Sequence, residues 1–68
     1  MENFLLHSSE QLLKAKDIAH ILNISRAMAY RLMQLGEIRT VSIGTAKRVR
    51  KKDLLTYIEN NLSPMSEF

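Results

Sequence analysis

The sequence predicts a mostly α-helical domain of three helices with one small β-hairpin. Three observations carry this. Apolar residues recur at helical spacing from Ala15 to Leu22, from Arg26 to Leu35 and from Lys51 to Asn61, while the stretch Arg39 to Arg50 alternates as strands do. Gly36 and Gly44 mark the changes of period. The 68 residues suffice for one compact domain and no more, and a chain this short buries only about 60% of its unfolded surface.

The first helix follows from Ile18, Ala19, Ile21 and Leu22, which share one face at spacings of three and four, with Lys16, Asp17 and His20 outward. Asn23-Ile24-Ser25 supplies a tight turn. Ser25 then stands where a hydroxyl accepts a hydrogen bond from a free N–H of the next helix. That second helix buries Ala29, Leu32 and Met33, and Gly36 stops it, because a left-handed residue costs glycine nothing. Two helices joined by a three-residue turn, with Ala19 and Ala29 as small residues at the crossing, form a helix-turn-helix pattern.

Beyond Gly36, Arg39 to Ile43 reads as a strand with Val41 and Ile43 on one face. Gly44-Thr45 turns, and Lys47-Arg48-Val49-Arg50 returns. A hairpin this small is marginal unless it packs on helices. The last helix presents Leu54, Leu55, Ile58 and Leu62, with Tyr57 alongside, and ends at Asn60-Asn61 before Ser63-Pro64. With the hairpin as wing, the architecture is a winged helix-turn-helix spanning residues 12–62, with residues 1–11 as an N-terminal extension and 63–68 as a flexible tail. Within the extension, Phe4, Leu5 and Leu6 are expected to cover the core as a short helix or strand.

Charge is distributed unevenly. The net charge is +3, but residues 26–52 hold eight cations against Glu37 alone, while each flank carries a small acidic excess. A basic middle between acidic ends fits a surface that meets an anion, and equally a solvated lysine-rich surface. Composition narrows the alternatives. With no cysteine, disulfides and thiolate metal sites are excluded. The longest apolar runs are only two or three residues, and Met1-Glu2-Asn3 offers no basic leader, so a soluble cytoplasmic protein without membrane contact is expected.

No residue set supports catalysis, and no cofactor, metal or small-molecule ligand is expected. His7 and His20 are isolated from metal-ligand partners, Asp17 and Asp53 read as helix-start carboxylates, and Gly36 and Gly44 do not make a phosphate loop. The methionines read as gap fillers in the core.

The second helix carries the candidate site. With its apolar stripe inward, Arg26, Ala27, Tyr30, Arg31 and Gln34 face out. Arginine pairs in bidentate fashion with guanine and glutamine with adenine; tyrosine meets phosphate or a thymine methyl. Ala27 lets the backbone approach closely, and the N–H groups after Ser25 can hold a phosphate. On the wing, Thr45, Lys47, Arg48 and Arg50 are candidates for backbone or minor-groove contacts. The lysines at 51 and 52 oppose the dipole of the last helix, a placement that a nearby phosphate would relieve. The partner indicated is double-stranded DNA. The competing reading is a protein-interaction adaptor that uses Phe4, Leu5, Leu6 and the last helix.

The run Leu13 to Arg26, followed by Ala29-Tyr30-Arg31-Leu32-Met33, Leu35-Gly36-Glu37-Ile38, Val41-Ser42-Ile43-Gly44, Arg48-Val49 and Lys52-Asp53-Leu54, resembles the excisionase-family DNA-binding domain over residues 12–60. The resemblance implies a winged helix related to that of MerR-type regulators, with the second helix in the major groove. It implies contacts from Ser25, Arg26, Tyr30 and Arg31 and from the wing around Thr45 to Arg48. It further implies a recombination directionality factor or a small transcriptional regulator, partnered by an integrase or by further copies loaded on repeated sites. The chain departs from the family pattern at Thr45-Ala46, where arginines are frequent, at Lys47 (an aromatic), at Arg50 (a proline) and at Asn23 (a glycine).

Overall fold

A computed structural model describes residues 11–63. In chain order it contains α1 (Ala15–Leu22), α2 (Arg26–Gln34), β1 (Val41–Ile43), β2 (Ala46–Arg48) and α3 (Lys51–Asn60). The two strands form one antiparallel hairpin, so the fold is three helices and a wing, the winged helix-turn-helix that the periodicities indicate. The expected Phe4–Leu6 cover and the tail after Ser63 lie outside the described residues.

Each helix end is closed by local chemistry. At the start of α1 the Lys14 N–H donates to Asp17 Oδ2 at 2.8 Å, so Asp17 satisfies a backbone donor as well as favouring the dipole. The turn after α1 is made by Asn23, whose φ of 58° is left-handed. There the Ile24 N–H donates to the Ala19 carbonyl at 2.9 Å and the Asn23 N–H to His20 at 3.3 Å. At the start of α2 the Met28 N–H donates to Ser25 Oγ at 3.0 Å. Its far end repeats the α1 closure: Gly36 takes φ 78°, the Glu37 N–H donates to Leu32 and the Gly36 N–H to Met33.

The core gathers Leu13, Ala15, Ile18, Ala29, Met33, Ile38, Val49 and Leu54, with Ala19, Leu22, Ile24, Leu32, Tyr57 and Ile58 packed against it. Ile18, Ile38 and Val49 are fully buried, each worth on the order of 1.5–3 kcal/mol of apolar burial. Leu13 and Val49 do more than fill space. Their N–H and C=O groups exchange two hydrogen bonds of 2.8 and 2.9 Å, tying the segment before α1 to the chain leaving the wing.

Several expectations change. Ile21 is exposed, because the α1 face that meets the core runs through Ala15, Ile18 and Leu22, and Ile21 sits to one side of it. β1 is shorter than Arg39 to Ile43. Val41 is half-buried, but Ile43 pairs with Ala46 at the hairpin tip and lies in solvent. In α3 the inward side is Asp53, Leu54, Tyr57 and Ile58, whereas Leu55 (59%) is exposed, as is Leu62 (69%) beyond the helix end.

The return strand is also displaced. β2 is Ala46–Arg48, Val49 leaves it to pair with Leu13, and Arg50 is the residue before α3, not a strand residue. The cause lies three residues on. Asp53 accepts from Arg50 Nε at 2.6 Å and from Nη2 at 3.1 Å, a bidentate pair that holds the guanidinium against the first turn of α3.

Candidate nucleic-acid interface

The outward side of α2 is open. Arg26, Ala27, Tyr30, Arg31 and Gln34 are all exposed, and the opposite stripe, Ala29 and Met33, is buried. The 3.6-residue period splits the exposed side into two rows. Arg26, Tyr30 and Gln34 follow one another at i, i+4 and i+8 on the flank toward the wing. Ala27 and Arg31 stand farthest from the core.

The hairpin lies beside that flank. A cleft of about 310 Å³ is lined on one side by Arg26 and Tyr30 and on the other by Thr45, Ala46, Lys47 and Arg48. A second cleft, toward the far end of α2, is lined by Tyr30, Met33 and Gln34 across from Thr40, Ser42 and Lys47. Tyr30 and Lys47 line both, so they form the ridges between the two hollows. Gly44 shapes the tip that projects beyond them. Its φ of 61° begins a two-residue connection between Ile43 and Ala46, the backbone of a type II′ turn, which suits the twist of a hairpin.

Two wing side chains are held locally. Lys47 Nζ donates to Ser42 Oγ at 3.0 Å across the hairpin, and Arg48 Nη1 donates to the Lys47 carbonyl at 2.9 Å. Both contacts are at exposed positions, where such bonds exchange readily with solvent or a ligand. Arg50 belongs elsewhere. It lines a third hollow with Arg39, Lys52, Asp53 and Thr56, away from the other candidates. Its guanidinium holds the Asp53 carboxyl below its ordinary range, an effect opposed by burial and aided by the charges of Arg39 and Lys52.

A family model described as a helix-turn-helix domain matches residues 12–62. The chain belongs to this helix-turn-helix family. The family includes excisionase-like members, and membership implies sequence-specific DNA binding. No curated protein and no solved structure shows a significant match to the chain.

In this helix-turn-helix domain Arg26, Tyr30, Gln34, Thr45, Lys47 and Arg48 line the two clefts between α2 and the wing, Ser25, Ala27 and Arg31 lie on α2 or its cap outside them, and Arg50 stands apart. The structure also adds residues that periodicity alone had set aside. Lys14 and Lys16, at the start of α1, line the same cleft as Arg26 and the wing. The available signal was their sign and their place before an apolar stripe, but only the folded crossing of α1 and α2 puts them there. Among the described residues no group of three or more His, Cys, Asp or Glu side chains converges on a metal-sized site. No described helix is long and apolar enough to cross a membrane.

Proposed function

We propose that this domain reads double-stranded DNA by laying α2 in the major groove and resting the wing on the adjacent backbone or minor groove. Arg31, Ala27 and Gln34 face base edges; Ser25 and the N–H groups after it, with Arg26 and Tyr30, fix the helix on phosphates; Thr45, Lys47 and Arg48 serve the wing. Arg50 is omitted, because Asp53 already engages its guanidinium. The observation that carries the reading is the cleft shared by the wing-side flank of α2 and the hairpin, which sets both elements to meet one duplex from the same side. The biological setting that best suits so small a module is that of an excisionase-like directionality factor or a small transcriptional regulator.

The test is Arg31→Ala, measured on duplexes selected from a random pool and on variants of the selected site. A base-reading arginine predicts a loss of about 1–3 kcal/mol and relaxed preference at one base pair. An unchanged affinity and footprint would remove Arg31 from the reading helix. A second reading, docking of a protein partner such as an integrase or another copy, is favoured by Leu55, exposed on α3, and Leu62, exposed just past its end. Crosslinking and light scattering with and without DNA separate the two.

A further inference from the structure

Met28 departs from the gap-filling role expected of the methionines. It is 45% exposed and lies outside the core, whereas Ala29 and Met33 on the same helix are buried. The helix cap fixes its backbone, because the Met28 N–H is the group that donates to Ser25 Oγ. Met28 therefore sits in the first turn of α2, three residues before Arg31, and side chains at that spacing are neighbours on a helix surface. Ala27 adjoins both. None of these three lines either cleft under the wing. The first turn of α2 thus sets a methyl group and a thioether beside a guanidinium, all on the solvent side.

An apolar patch among polar readers has few uses on DNA. Methionine brings no donor for a phosphate oxygen and only a weak acceptor for a base edge. The major groove offers one apolar group, the C5-methyl of thymine, and apolar side chains recognise it by contact. A flexible, polarizable thioether moulds well around such a methyl. We infer that Met28, together with the Ala27 methyl, receives a thymine methyl at a base pair next to the one that Arg31 reads. Met28 is then a specificity-determining residue. The inference rests on the major-groove reading of α2 and adds the identity of a preferred base.

Deoxyuridine provides the test, since it removes the thymine methyl and leaves the hydrogen-bonding groups of the base in place. A single-site duplex selected from a random pool is rebuilt with deoxyuridine at each thymine in turn. Binding is followed by fluorescence anisotropy for wild type, Met28→Ala, Met28→Gln and Leu55→Ala. Met28 is exposed and both replacements are good helix formers, so the fold survives them. Leu55, exposed on α3, controls for the loss of an apolar surface side chain. Wild type is expected to bind one deoxyuridine duplex about fourfold more weakly, the effect of losing one buried methyl group. In Met28→Ala that ratio should fall below twofold, and in Leu55→Ala it should persist. Repeating the selection with Met28→Gln should replace the thymine, with adenine favoured because glutamine pairs with it in bidentate fashion.

Wild-type binding that is indifferent to every deoxyuridine, alongside an Arg31→Ala loss at one base pair, would overturn the inference and leave the major-groove reading standing. A methyl effect undiminished in Met28→Ala, abolished equally in Leu55→Ala, or accompanied by an unchanged selected base in Met28→Gln would overturn it as well. A wild type that selects no duplex from the pool would remove the DNA reading, and this inference with it.

Discussion

At the start of α2 the Ser25 hydroxyl accepts the Met28 N–H, one of four backbone donors that the helix cannot satisfy internally. Ser25→Ala is therefore expected to cost about 1 kcal/mol, within about 0.5–2, readable as a lower urea midpoint with an unchanged slope. A cost near zero would mean that water replaces the cap. Asp53 stabilises the start of α3 by another route. Although only 8% exposed, it is ionised and forked onto Arg50. Its folded proton affinity is depressed, so the unfolded chain takes up the proton more readily. The resulting stability is complete well above the ordinary carboxylate value of about 3.9 and is lost as pH falls through the lower folded value. Asp53→Asn should melt below wild type at pH 7, with the gap closing toward pH 2. Melting curves that stay parallel throughout would show that the pair contributes nothing to the acid dependence.

At the scale of elements, the hairpin depends on Gly44. Space is not the constraint, since a Cβ built there meets nothing within 4 Å; the constraint is the positive φ. Gly44→Ala should cost roughly 1–2 kcal/mol, and Gly44→Asn less, because asparagine tolerates the left-handed backbone. Equal losses for the two would locate the penalty in something other than backbone strain. This turn was legible in the sequence, as was α2, because both rest on local chemistry: a capping serine, a stopping glycine, an apolar pair at i and i+4. The Leu13–Val49 pairing was not legible, since it joins segments far apart in the chain and Leu13 lies in a weakly patterned stretch. Arg50 was misplaced for a related reason. Strand alternation carries through it smoothly, and only its partner three residues later reveals the start of a helix. Leu55 and Leu62 continue a helical spacing, but among the described residues nothing covers either of them.

For the whole molecule, the decisive quantity is how little surface one such module offers. A single DNA-reading module buries about 600–1,000 Å² of its own surface, so affinity must come largely from charge. The eight cations between residues 26 and 52, less Arg50, which Asp53 engages, allow about four to six phosphate contacts and hence a salt slope near −4 to −5. Single-site binding should then be weak at physiological salt. Two selected sites about one helical turn apart should be filled cooperatively if Leu55 and Leu62 meet a neighbouring copy. Anisotropy titrations on one-site and two-site duplexes check both statements, with Leu55→Ser and Leu62→Ser expected to reduce the two-site advantage while leaving one-site affinity unchanged. A flat salt response would exclude the phosphate-dominated mode outright. Cooperativity that survives both leucine substitutions would mean that neighbouring copies communicate by a route other than Leu55 and Leu62.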